Sequence, residues 1–207
     1  DHMAAALTSY DLVVDSIEVA DTVRRTIVPG LDIVPTSVHL SGAEVELVNV
    51  AKREFRLRDK LEGQVSAYDY VLIDCPPALG LLTLNALAAA NAVLVPLQCE
   101  YYALEGMSHL VRTIERVRKG LNPSLEIQGV VLTMFDGRNN LCGMVADDVR
   151  DHFGEKVYQT VIPRNVRVSE APPHGKPVLL YDINCAGAQA YAHLASEVLK
   201  RENARAA

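Results

Sequence analysis

One carboxylate in this chain is placed where it could do chemistry. The apolar run Tyr70-Val71-Leu72-Ile73 ends on Asp74, and Cys75-Pro76-Pro77 follow at once. A short apolar run bounded by turn residues predicts a buried strand. The two prolines then force the chain out of the sheet, because proline cannot donate to a ladder. A carboxylate at the carboxyl end of a parallel strand projects into the crevice where open sheets bind ligands. There it can support Mg²⁺, directly or through water, since that ion takes few protein oxygens and keeps its waters. The plainer alternative is an acid that caps the following turn, and this stretch alone leaves both open.

The elements that must position Asp74 are legible as alternating patterns. Candidate strands are Leu31–Val34, Tyr70–Ile73, Ala92–Pro96, Ile127–Met134, Val157–Ile162 and Pro177–Leu180. Ser41 and Glu44 have capping-box spacing, which predicts a helix running to about Leu61 and stopping near Gly63. Leu104, Met107, Leu110, Val111, Ile114 and Val117 fall on one helical face, and Gly120 with Asn122-Pro123 ends that helix. A third helix is expected over Gly143–Phe153, with Met144, Val145, Val149 and Phe153 inward. A last one is expected over about Ala186–Arg201, with Leu194, Val198 and Leu199 inward. Strands of near-continuous Val, Ile and Leu alternating with helices predict one α/β domain over residues 1–207, a doubly wound, mostly parallel sheet with helices on both faces.

Composition narrows the partners. The 207 residues are 49% hydrophobic and 22% charged, with a formal net charge of −6. That balance argues against a generic nucleic-acid coat while leaving room for a local basic patch. Lys52, Arg53, Arg56, Arg58 and Lys60 are interleaved with Glu54 and Asp59, so they read as a solvated helix face. Cys75, Cys99, Cys142 and Cys185 lie far apart without metal spacing, as expected of reduced, buried thiols. No apolar run approaches the ~18 residues of a membrane span.

Longer strings carry a resemblance. The segment YDYVLIDCPPALGLLTLNALAAANAVLVPLQCEYYALEG resembles the ParA/Soj family of chromosome- and plasmid-partition ATPases, of the deviant P-loop group that includes MinD. So do SGAEVELV, GVVLTMFDGRNNL and VIPRNVRVSEAPPHGKPVLLYD. The resemblance spans nearly the whole chain, from about Tyr10 to the C-terminal helix. It implies a doubly wound sheet with ATP and Mg²⁺ at the strand ends, an ATP-bound sandwich dimer that binds DNA without sequence preference, and a centromere-binding partner that stimulates hydrolysis. A cytoplasmic, nucleoid-associated protein is implied. Asp74 then matches the Walker B acid that supports Mg²⁺, and Cys75–Leu82 the switch after it. Arg138 and Arg167 match arginines implicated in DNA contact, which Arg164 and Lys176 could extend into a phosphate-contacting patch. Met134, Phe135, Pro163 and Arg164 match the surroundings of the adenine.

Three departures qualify that picture. After Tyr181-Asp182 the family commonly carries basic residues, whereas here Ile183-Asn184-Cys185-Ala186 follow, implying a narrower basic surface. The C-terminal helix lacks the bulky apolar face beside lysines that a MinD-like membrane anchor needs, and the cysteine spacing of an iron–sulfur reductase component is missing too. Last, no glycine-rich, two-lysine P-loop occurs in these residues: Gly175-Lys176 is followed by Pro177, with Glu170 where the first loop glycine belongs. The chain therefore reads as an expressed fragment, Asp1-His2-Met3 being a cloning remnant, or as a naturally shortened, non-enzymatic regulator that pairs with a full-length ATPase. Without the first strand, exposed edges are expected to promote self-association. No cofactor is expected for this chain on its own, although the family uses Mg-ATP.

Phosphoryl transfer of this kind depends on P-loop amides and lysines as well as the metal. The 207-residue chain alone is thus expected neither to bind ATP tightly nor to turn it over. Titration calorimetry with Mg-ATP and a phosphate-release assay check this; micromolar binding, or turnover lost in Asp74→Ala, would overturn it.

Overall fold

The computed structural model describes residues 7–206 apart from Ser16 and Pro77. The Asp1-His2-Met3 leader and Pro77 of the switch thus lie outside the described residues. The chain divides into two compact units, residues 1–91 with 114–125, and residues 92–113 with 126–207.

In the first unit, α1 (Ser9–Val14) starts on a capping box. Asp11 Oδ2 accepts from the Thr8 amide at 2.7 Å, and Thr8 Oγ1 accepts from the Tyr10 amide at 3.3 Å. Next come α2 (Val19–Thr22) and an antiparallel pair of two-residue strands, β1 (Arg24–Arg25) and β2 (Asp32–Ile33). The expected strand Leu31–Val34 is thus present in part, but as half of a hairpin rather than a member of the parallel sheet.

The long helix expected from Ser41 to Leu61 is broken into α3 (Ala43–Glu46) and α4 (Arg56–Leu61), with 3₁₀ turns between. Val50 is extended and Lys52 is left-handed at φ 56°. Val45, Val48 and Val50 lose side-chain freedom in a helix, so this stretch resists continuing. The buried Asn85 fixes the new start: its Oδ1 accepts from the Leu57 amide at 3.1 Å and its Nδ2 donates to Arg53 O at 2.9 Å. Ser41 consequently caps nothing; its hydroxyl donates to Val38 O at 2.9 Å. Glu44 instead accepts from the Leu82 amide at 3.1 Å, in the first turn of α5 (Leu81–Ala89). An acid there complements the helix dipole. The basic run is only partly a solvated face, because Arg56 donates to Val13 O and Val14 O at the end of α1, and Lys60 to Ile17 O. A small core of Val13, Ala43 and Leu47 joins these pieces.

The main departure is at Tyr70–Ile73. Residues 70–76 belong to no strand, and Leu72 is 88% exposed. Strand composition does not by itself make a strand, because β propensity reflects packing and pairing in a sheet.

The second unit holds the parallel sheet. Strands β3 (Ala92–Gln98) and β4 (Glu126–Thr133) pair in parallel, with Val95 opposite Val130 and a bulge at Val93/Leu94. The expected strand at Val157–Ile162 is a third rung made of bridges rather than a full ladder: the Tyr158 amide donates to Val130 O and the Ile162 amide to Leu132 O, both at 2.8 Å. The helices of this unit are α6 (Ala103–Gly120), which runs on into the first unit, α7 (Asn140–Phe153), α8 (Val166–Glu170), α9 (Val178–Tyr181) and α10 (Ala186–Ala206). Alternation along β4 settles the layers. Val130 and Leu132 pack with Met107 of α6 and Val145 and Val149 of α7, while Val131 packs with Ala190 and Leu194 of α10. Helices therefore cover both faces, as the sequence predicts. Gly129 is required here, because a Cβ would strike the Tyr158 ring.

Three local expectations are corrected. Pro177–Leu180 is the start of α9, not a strand, since Pro177 O accepts from the Leu180 and Tyr181 amides. Met144 and Leu199 are exposed, at 66% and 46%, because each falls off the apolar stripe of its helix. Glu197 and Arg201 of α10 bind the outer side of the third rung. Glu197 accepts from the Gln159 and Thr160 amides at 2.9 Å, and Arg201 donates to Val157 O at 2.9 Å and Glu155 O at 2.8 Å. Burial pushes the Glu197 carboxyl up, but those amides and Arg201 outweigh it, leaving it below its ordinary value.

Leu132 is fully buried between strand and helices. Leu132→Ala should cost about 2–5 kcal/mol in urea denaturation. Leu72→Ala, on the exposed segment, should stay within about 0.5 kcal/mol.

Candidate functional site

The polar groups of the second unit gather where β4 ends. The third rung stops level with it, and Phe135 bridges Pro163 in parallel. The Phe135 amide donates to Ile162 O at 3.1 Å, and the Arg164 amide donates to Phe135 O at 3.0 Å. Met134, Phe135, Pro163 and Arg164, which the family resemblance implies surround an adenine, are thus brought together. Met134 is left-handed at φ 53°, a conformation that persists only where the surroundings impose it. A cavity of about 450 Å³ opens beside it, lined by Cys99, Glu100, Tyr101, Met134, Asp136, Arg138, Asn139, Leu141, Cys142 and Arg164. Phe135 and Pro163 support this wall rather than face the cavity.

A tight turn orients Arg138. The Asn139 amide donates to Asp136 O at 2.9 Å, and the Arg138 amide donates to Asp136 Oδ1 at 3.1 Å. The guanidinium folds back on the same carboxylate, with Nε to Oδ1 at 2.9 Å and Nη2 to Oδ2 at 2.8 Å. The Arg138 side chain is still 90% exposed. Its fork and its backbone amide hold the Asp136 carboxyl down to about 2, against burial. Asn139 then caps α7 by accepting from the Leu141 amide at 3.0 Å.

Arg167 lies in α8 and is also engaged. Its Nη1 meets Glu170 Oε2 at 2.9 Å, one helical turn on, and its Nε lies 3.6 Å from Asp182 Oδ2. Tyr181 donates weakly to the same Glu170 oxygen at 3.5 Å and stacks on His174. Arg164 and Lys176 are exposed, and among the described residues no carboxylate lies within ion-pair distance of either. All four cations proposed for DNA contact therefore sit on the exposed surface of one unit, two paired and two not.

Asp74 is exposed in the first unit, in a stretch that belongs to no helix or strand. It is one carboxylate, and the described residues contain no cluster of three metal-ligating side chains. Cys99 and Cys142 are buried as expected, with Cys142 Sγ donating to Cys99 O at 3.3 Å, whereas Cys75 is exposed. Burial, then the neighbouring Cys142, pushes the Cys99 thiol up to about 11, so it stays protonated and inert. Asp136, Glu170 and Asp182 were not read from the sequence as partners of the arginines. The signal for Asp136 was its place two residues before Arg138 in a Gly-containing turn, where Asp commonly bonds its own backbone.

Parallel strands covered on both faces, with a polar cavity at the strand ends, define an α/β protein of the P-loop NTPase-like type seen in ParA and MinD. The solved structure of cobyrinic acid a,c-diamide synthase from Mycobacterium smegmatis with bound ADP and magnesium matches at TM-score 0.80 and 32% identity, over 98% of this chain and 75% of that one. The cell division ATPase MinD of Pyrococcus furiosus shares the fold at TM-score 0.75 and 23% identity, over 94% and 76%. A family model described as AAA domain matches residues 1–127. The chromosome partitioning protein ParA of Caulobacter vibrioides is 61% identical over 97% of this chain and 76% of its own length. The sporulation initiation inhibitor protein Soj of Bacillus subtilis is 54% identical over 91% and 75%. The chain belongs to the ParA/Soj family of chromosome-partitioning proteins.

The Asp136 carboxyl titrates low because Arg138 stabilises its ionised form. This pair should therefore favour the fold above the ordinary carboxylate range and stop doing so as pH falls through about 2. A carbon-detected NMR titration should place the Asp136 midpoint near 2, and Arg138→Ala should move it up towards 3.8.

Proposed function

We propose that this chain acts in chromosome segregation by binding duplex DNA through phosphate contacts, without sequence preference, using Arg138 and Arg167 with Arg164 and Lys176 beside them. The observation that carries this reading is the exposure of these four cations on one unit of an otherwise acidic protein. Phosphate contacts position a protein on a duplex and carry no sequence information. A centromere-binding partition protein is the proposed partner, self-association the proposed assembly, and the nucleoid the proposed place of work.

Mg-ATP fits these residues in part. The wall of Met134, Phe135, Pro163 and Arg164 beside a cavity of about 450 Å³ suits a base held by apolar contact and a few polar groups. In the first unit, taken by itself, Asp74 offers one exposed carboxylate of the kind that Mg²⁺ accepts. Bound Mg-ATP would supply a phosphoryl group activated for transfer to water. What the chain's own residues do is narrower: the Met134 wall holds and orients a base, and Asp74 offers a carboxylate. No P-loop stands in the 207 residues to cradle the phosphates, so the chain by itself is proposed not to hydrolyse ATP.

Fluorescence anisotropy with a random-sequence duplex tests the DNA reading. Four phosphate contacts give a slope of log affinity against log salt no steeper than about −4, because each contributes about −0.9. Replacing Arg138 and Arg167 together by Glu should abolish binding. A double variant that binds like the parent would remove both arginines from the interface.

A further inference from the structure

The two arginines that the DNA reading depends on most are the two that already have anionic partners. Asp136 occupies the Nε–Nη2 edge of the Arg138 guanidinium, at 2.9 and 2.8 Å, inside a turn that its own carboxylate helps to close. Glu170 and Asp182 occupy Arg167, at 2.9 and 3.6 Å, one from the same helix and one from just beyond α9. Arg164 and Lys176 have no such partner among the described residues.

We propose that Asp136 and the Glu170–Asp182 pair are built-in competitors for the phosphate-binding arginines, so that these carboxylates set which anions the surface accepts. The inference rests on the DNA reading above. A guanidinium fork presents its strongest donors to one planar anion at a time. To seat a phosphate on the Nε–Nη2 edge of Arg138, the Asp136 carboxylate must give up two charge-assisted hydrogen bonds, and a phosphate on the Nη1 side still meets the charge of Asp136. An isolated phosphate exchanges one anion for another and gains little. A duplex brings many phosphates in fixed register and releases its condensed counterions, so it can displace both carboxylates together. The surface thus discriminates between a dense polyanion and small free anions, with Arg164 and Lys176, which no described carboxylate holds in an ion pair, giving the first contacts. Because both pairs are exposed, the competition is soft. Such pairs contribute little in water, which limits the effect of removing one to about fivefold in affinity.

The test compares duplex binding of the whole chain with that of D136N, of E170Q/D182N and of D151N at one fixed salt concentration. Asp151 is exposed on α7 and has no ion-pair partner among the described residues, so D151N adds the same charge without freeing an arginine. D136N should tighten binding about threefold to fivefold, E170Q/D182N should tighten it comparably, and D151N should change it less than either. In an Arg138→Ala background, D136N should gain no more than D151N does, since the cycle isolates the pairwise effect from the general change of charge, which includes the field of Asp136 at Arg164. A D136N gain matched by D151N, or one that survives Arg138→Ala undiminished, would overturn the proposal. The salt needed to elute each variant from immobilised heparin, a polyanion that is not DNA, separates the two claims. Higher elution salt for D136N, with no variant binding duplex, would leave the competition standing and remove the DNA reading. Unchanged elution of D136N would overturn the competition itself.

Discussion

The second unit depends on β4 being paired on both edges and buried on both faces. Its carbonyls at Val130 and Leu132 take amides from the third rung while its other edge joins β3. Its side chains alternate between the α6–α7 layer and α10. Each constraint supports the others. A strand with its backbone bonds satisfied laterally can be apolar on both sides, and helices that need an apolar surface then have two. The third rung and β4 end at the same level, so everything leaving their carboxyl ends (Met134 to Asn139 on one side, Pro163 and Arg164 on the other) is delivered to one place.

That delivery places Arg138 and Arg164 of this acidic protein just beyond the strand ends, with Arg167 in the short helix that follows. The helices spend their apolar faces on the sheet, and the loops beyond the strand ends are free to carry charge. Each of the two helix-proximal arginines is then folded back onto a nearby acid, which keeps the surface from being a uniformly positive field. In this chain the local pairing of charge matters more than the net charge of −6.

Much of this was readable from sequence where local pattern and tertiary context agree. Strands β3 and β4, the apolar face of α6 with Met107, Ile114 and Val117, and its termination at Gly120 follow from periodicity and punctuation alone. The convergence of Met134, Phe135, Pro163 and Arg164 followed from resemblance, not from spacing. Reading failed where an element's fate lies with a distant partner. Tyr70–Ile73 has strand composition but no ladder, and Pro177–Leu180 has strand composition but a helical turn started by Pro177. The Ser41–Glu44 spacing was right for a capping box, yet Glu44 is taken by the start of α5, thirty-eight residues on. The carboxylates facing Arg138 and Arg167 were missed because a paired arginine and a free one look alike in a sequence.

The grip of α10 on the third rung also bears on how the sheet ends. The outer amides of Gln159 and Thr160 would otherwise form an open row, the kind of edge on which a foreign strand can template itself. Glu197 takes both of them, and Arg201 takes the carbonyls of Glu155 and Val157, so two side chains one helical turn apart blunt that border. The C-terminal helix therefore serves as a selvedge as well as a cover: the sheet stops growing at this side because its last hydrogen-bonding groups are already spoken for.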